Sequence, residues 1–206
     1  MTKYEFSSIL QNETGMAIVQ KYLFDHPPFY FKNTPGLFED FRDEVCAFFK
    51  IHQQNFAIVG SAQIGFSLSP EHYGIPFGST SDIDVVLVSE DLFQDLWMML
   101  IEYRKKTFSS LDPLYRKKFS ELQRILFFGN IRFDKLNDTF AFAKTWWDFF
   151  NHMSRNPKYG SRRVRASLFK SWHHVTHYYA EGIDKLKEKN ESTSHKSDNP
   201  MVLSAP

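Results

Sequence analysis

The stretch VGSAQIGFSLSPEHYGIPFGSTSDIDVVLV, residues 59–88, limits what this chain can fold into more than any other. One apolar run, NFAIV, stops at Gly60–Ser61, and a second opens with Asp82-Ile83-Asp84. A strand alternates its side chains with period two, so Asp82 and Asp84 share one face, with their Cα atoms roughly 6–7 Å apart, while Ile83 and Val85 take the other. Unpaired, the two carboxylates repel, and burial raises the pKa of at least one, so the pattern asks for a compensating positive charge. Magnesium supplies it: the ion takes hard oxygen ligands from a few carboxylates, water and substrate phosphates, and two such ions about 3.5–4 Å apart can share bridging carboxylates. The plainer reading makes Asp82 a turn cap and Asp84 a solvated edge-strand residue. The upstream turn weighs against it. Gly60 lets the backbone approach a ligand closely, exposed N–H groups and the Ser61 hydroxyl can hold phosphate oxygens, and Gly65 repeats the permissive geometry.

The elements around this stretch read as helix, strand, loop, strand, helix. PGLFEDFRDEVCAFFKIHQQ places Leu37, Phe41, Val45, Phe48 and Phe49 near one face of an amphipathic helix, and SEDLFQDLWMMLIEYRKK begins with Ser89 as N-cap and acids in the first turn. Residues 1–34 read as an N-terminal arm or helical cap, because Pro27 and Pro28 stop any helix there. Residues 35–138 read as the main domain, with 107–124 helical and RILFFGNIRFDKL a bent strand or strand pair around Gly129. Residues 139–187 read as aromatic-rich helices ending near Gly182, and the polar, aperiodic 188–206 as a disordered tail. Hydrophobic residues at 42% and aromatics at 17% exclude general disorder, and 22 phenylalanines require an interior built from rings. A formal charge of +1 makes no global case for nucleic acid or an acidic membrane. Cys46, the one cysteine, excludes an internal disulfide and reads as a buried thiol. The start carries no basic-then-apolar leader, and no apolar run reaches the ~18 residues of a membrane span, so the expectation is a cytoplasmic protein without a membrane partner.

Val59-Gly60-Ser61 followed by Asp82-Ile83-Asp84-Val85 resembles the signature of the DNA polymerase beta-like nucleotidyltransferase superfamily, and STSDIDVVLV is similar to the form in many small bacterial members. The resemblance spans about residues 37–106. It implies an α/β (α+β) fold, a mixed sheet flanked by helices, with a helical C-terminal part. It implies that Gly60 and Ser61, with Ser81, contact a nucleoside triphosphate, and that Asp82 and Asp84 hold two magnesium ions, or manganese in their place. The family also has a third carboxylate on a later strand, often the base that takes the acceptor's proton. Asp134 in NIRFDKL is the candidate, with Ile131 and Phe133 facing inward opposite Arg132 and Asp134; Asp138, or a structural role for Asp134, is the alternative. The 20 residues between Ser61 and Asp82 make a spacer longer than is usual for the family, and the excess, SPEHYGIPFG, reads as an inserted turn or flap.

SRNPKYGSRRVRASLFKSWHHVTHYY gathers Arg155, Lys158, Arg162, Arg163, Arg165 and Lys170 among Tyr159, Phe169 and Trp172. Such a mixture suits an RNA or protein acceptor or the triphosphate, or else is a solvated helix face over an aromatic core. Trp146, Trp147, Phe149 and Phe150 read as core. His173 and His177 have i, i+4 spacing but no third ligand in view. The leading expectation is a magnesium-dependent transfer of a nucleoside monophosphate to a hydroxyl on RNA, protein or a small molecule. The alternatives are a non-catalytic binding module of the same fold, such as an antitoxin or antiviral-defence subunit with a protein partner, and a plain nucleic-acid binder.

Overall fold

Pro35 at the first helical position and Ser89 as an N-cap set the starts of the two helices that bracket the paired strands. In the computed structural model, which describes residues 2–24 and 26–197 (side chains to 192), the chain is mixed α and β. It begins with α1 (Lys3–Asn12) and α2 (Gly15–Ile18), the latter running into a π-helical turn, Val19–Leu23. Helix α3 (Pro35–Phe49), strand β1 (Phe56–Val59), a single turn α4 (Ser61–Ile64), β2 (Ile83–Val88) and α5 (Glu90–Thr107) follow. Then come α6 (Pro113–Phe127), β3 (Asn130–Ile131), α7 (Ala141–Arg155), β4 (Val164–Phe169) and α8 (Trp172–Ser197).

The four strands lie in the order β1-β2-β4-β3, with β1–β2 and β3–β4 antiparallel and β2–β4 parallel. Period-two alternation sorts the side chains onto two layers. Phe56, Ile58, Ile83, Val85, Leu87, Val164 and Leu168 face the large core made with α3, α5, α6 and α7. Val59, Val86, Val88 and Phe169 face Val175, Tyr178 and Tyr179 of α8. The N-terminal helices lay Phe6, Leu10, Ile18 and Leu23 against Ala180, Ile183 and Leu186 on the far side of α8. Among the described residues, no helix is long and apolar enough to cross a membrane.

Rings build the large core, as the phenylalanine count requires. Trp146 stacks on Phe133 at 4.2 Å between centroids, and Phe49 packs within 5.5 Å of both Trp146 and Phe150. Phe41, Val45 and Phe49 of α3 are buried, whereas Phe48 is exposed and stacks on Phe149 from outside. Cys46 is buried, and burial pushes its thiol pKa up to about 11, so it is an inert packing residue.

Three expectations are corrected. Residues 164–169, inside the span read as helical, form β4 between β2 and β3; Pro157 and Gly160 end the helix, and Val164, Ala166 and Leu168 alternate with Arg165 and Ser167 as a strand requires. The segment around Gly129 is the end of α6, two residues of β3 and a 3-10 turn, Phe133–Lys135, with Ile131 and Phe133 buried. Helix α8 runs past residue 188 to Ser197; Leu186 is fully buried, Lys187 donates to the Glu13 carbonyl, and Lys and Glu carry the helix on. The rest of the expected tail, 198–206, lies outside the described residues.

Gly129 adopts φ 63°, and a Cβ there would run into the ring of His174. Gly129→Ala is therefore expected to destabilise the fold by about 1–3 kcal/mol, read as a lower midpoint in urea at unchanged slope.

Candidate active site

The register of the sheet brings the site together. Asp84 on β2 lies across from Val59 on β1 and from Arg165 on β4, so all three side chains share the face covered by α8. Gly60 follows Val59 with φ 65° and ψ −148°, a conformation natural only to glycine. A Cβ on Gly60 would lie 3.1 Å from Oδ2 of Asp84, so the missing side chain lets the turn close over the carboxylate.

Asp84 lacks sufficient counter-charge. Burial pushes its pKa from 3.8 up to about 6, the neighbouring Asp82 adds to the rise, and Arg165, Arg132 and Arg163 offset it only in part. Tyr179, partly buried in the lining of the same cavities, has its phenol pKa raised well above the usual value by desolvation and then by the Asp84 charge. Asp82 stands one residue before β2. Its Oδ1 accepts from Nε of Arg163 at 2.7 Å, its Oδ2 accepts from Nη2 of Arg163 at 3.1 Å, and Nε of Arg165 lies 2.8 Å from Oδ2.

Two cavities meet at Asp84. The first, about 550 Å³, is lined by Ser61, Ser67, Ser69, Arg124 and Lys185, with apolar walls that include Leu68, Ile125 and Phe128. The second, about 540 Å³, is lined by Arg132, Asp134, Asn151, Arg163 and Arg165 with Trp147. Gly60, Asp84, Tyr178 and Tyr179 belong to both.

The structure thus brings Gly60, Ser61 and Asp84 to one cavity, and Asp134 to the far side of the same Asp84. Asp134 lies in the 3-10 turn after β3, its oxygens accepting from Nε and Nη2 of Arg132 at 2.9 and 3.0 Å, with Lys135 at 3.8 Å. Asp138 is exposed and lines neither cavity. Ser81 also lines neither; its hydroxyl accepts from the Gly78 amide at 3.0 Å and closes the turn that delivers Asp82. The long spacer is tied down. Ser67 and Phe77 donate their amides to Ile75 and Gly65 at 2.9 and 2.8 Å, Tyr73 meets Ser7 of α1, and residues 67–70 form a wall of the first cavity.

Arg162 fixes the other end of that spacer. Its Nη1 donates to the carbonyls of Gly78, Ser79 and Ser81 at 2.5, 3.1 and 3.0 Å, and its guanidinium stacks on Phe77 and Tyr30. Arg132, Arg163 and Arg165 as carboxylate partners, and the tyrosines of α8, were not singled out as such from sequence. The available signal was the spacing of Arg163 and Arg165, which matches that of Asp82 and Asp84 on the strand alongside.

Asp82 and Asp84 offer a donor set that suits magnesium. Both are hard carboxylates at one strand end, and burial holds the Asp84 pKa up at about 6. No three His, Cys, Asp or Glu side chains are grouped to hold a metal among the described residues, so water and phosphate oxygens would complete the ion's shell. His173 and His177, with ring centroids 4.3 Å apart, are both exposed on α8 and line neither of these cavities; of the two carboxylates Asp84 lines both and Asp82 neither. Compared with family models, curated proteins and solved structures, the chain matches none.

Proposed function

We propose that this chain is a magnesium-dependent nucleotidyltransferase that moves a nucleoside monophosphate from a triphosphate to an acceptor hydroxyl. The observation that carries the reading is the meeting of the Gly60–Ser61 turn with Asp84 at the junction of two cavities, one on the Ser61 side and one on the Asp134 side. The donor triphosphate belongs on the Ser61 side, where the turn amides, the hydroxyls of Ser61 and Ser67, and Arg124 can take its oxygens, while Ser69 and Lys185 donate to Glu71 and Glu181 at 2.8 and 2.6 Å. The acceptor belongs on the Asp134 side.

Asp82 and Asp84 would hold the magnesium, which when bound neutralises charge on the phosphates. The acceptor oxygen attacks the α-phosphorus as the bond to the β-phosphate bridge breaks; pyrophosphate leaves, and Asp134 would receive the hydroxyl proton. Little covalent chemistry falls to the protein, so positioning and charge supply most of the acceleration. The test is transfer of label from each of the four α-labelled nucleotides, with magnesium or manganese, into RNA, protein and small-molecule mixtures. Incorporation by the native chain and its loss in Asp82→Asn/Asp84→Asn support the assignment; equal incorporation by both proteins refutes it.

A second reading rests on a specific observation. Arg132 occupies both oxygens of Asp134, and the residue across from Asp84 on the adjoining later strand is Arg165 rather than a carboxylate. On that reading the same site binds a nucleotide without turnover, as a binding module. Metal-dependent nucleotide binding with no product in the labelling experiment selects it.

A further inference from the structure

Four arginines stand close to the carboxylates, and they are not equivalent. Arg132 grips both oxygens of Asp134, and Arg162 is committed to the 78–81 turn. Arg163 and Arg165 instead share a single carboxylate, Asp82, and among the described residues neither has another ion-pair partner. Asp82 is shielded, with 16% of its side chain exposed, whereas Arg163 and Arg165 are 64% and 53% exposed. Solvent therefore competes for the two guanidiniums, though not for the shielded carboxylate they share. The two guanidiniums on this one carboxylate line the second cavity, which Asp84 shares.

We propose that Arg163 and Arg165 form an exchangeable anion site: they hold Asp82 in the cation-free protein and turn to a phosphate of the acceptor when a divalent cation takes Asp82. The inference rests on the reading of Asp82 and Asp84 as the metal-binding pair. A cation on that pair removes the carboxylate that Arg163 and Arg165 share and places further positive charge beside them. A phosphate is the partner that suits them, since planar guanidiniums grip its oxygens in pairs where a lysine would act as a point charge. The second cavity, at about 540 Å³, admits a nucleotide-sized group, and Asp134 lies within it to meet the hydroxyl. The acceptor class is therefore a hydroxyl compound that carries a phosphate, either a free nucleotide or the end of an RNA strand. Cation and phosphate then bind with positive cooperativity, each removing the other's competitor.

Manganese binding to the full chain, followed by electron paramagnetic resonance of the free ion, tests the exchange without reference to activity. Inorganic phosphate is the first probe and a short oligoribonucleotide the second. The native chain is expected to bind manganese about tenfold more tightly in the presence of phosphate. Arg163→Gln/Arg165→Gln, on exposed side chains that the core does not need, is expected to bind manganese about tenfold more tightly than the native chain without phosphate, and to show no further gain with it. A larger gain with the oligoribonucleotide than with phosphate assigns the anion to a strand; an equal gain assigns it to a free phosphate compound. A double variant with native manganese affinity and native phosphate coupling overturns the exchange while leaving the metal site standing. If the native chain binds no manganese, or Asp82→Asn binds it equally well, the metal reading itself fails and the exchange with it.

Discussion

Asp84→Asn is expected to abolish nucleotidyl transfer and, in the same protein, to raise stability at neutral pH. On the proposed reading the loss of transfer should reach about 10³-fold or more, because a carboxylate that would hold the magnesium is removed from a partly buried site. The gain in stability follows from the raised pKa of about 6 against 3.8. A carboxyl whose folded pKa lies above its unfolded value favours the fold while protonated. That contribution is fully present below about pH 3.8 and is lost as pH rises through about 6. At pH 7–8 the native protein has lost on the order of 2–3 kcal/mol that an asparagine does not lose. Thermal unfolding from pH 4 to pH 8 checks this: the two melting curves should separate as pH rises, the variant melting higher. Saturating magnesium should narrow the gap by stabilising only the native aspartate. Such opposite effects on activity and stability mark a group kept for function against the preference of the fold.

Trp146→Ala is expected to give the largest loss of stability of any single substitution considered, about 3–5 kcal/mol, measured as a fall in the urea midpoint. Trp146 is 1% exposed and its ring lies within 5 Å, centroid to centroid, of Phe133, Phe49 and Phe150. Removing the indole leaves a cavity that three flanking rings cannot all collapse into. The effect reaches the site through Phe133, which sits between Arg132 and Asp134 in the turn that presents both to the second cavity. Trp146→Phe keeps a ring in place and should retain most of the stability, with a smaller loss of transfer than the alanine.

The elements that the sequence made legible are those whose signals are local. Helix α3 starts at its proline, α5 is capped by Ser89, whose hydroxyl accepts from the Leu92 amide, β1 is an apolar run ended by Gly60, and β2 is an apolar run after Asp82 that Asp84 alone interrupts. Strand β4 was not legible in the same way. It is a central strand, yet Arg165 and Ser167 on one face lie in a basic, aromatic stretch whose composition suits a helix face equally well. Only its position beside β2 explains the arginines, since Arg165 lies across from Asp84 and Arg163 reaches Asp82 over a separation of 81 residues. The spacer shows the same limit. Its length marks an insertion, but the Arg162 clamp and the contacts to α1 that turn it into a cavity wall come from opposite ends of the chain. Pairing across the fold, and hence which carboxylates are already held by arginines, is fixed by the sheet order and not by any single motif.

That arrangement defines the central claim: the Gly60–Ser61 turn and the Asp82–Asp84 pair form one site for a metal-bound nucleotide. Calorimetric titration of the full chain with each of the four nucleoside triphosphates, with magnesium and with excess chelator, tests it most directly. The account predicts saturable binding of at least one nucleotide that requires magnesium and is lost in Asp84→Asn. Binding that is unchanged by chelator and by Asp84→Asn, or no binding of any of the four, would contradict it.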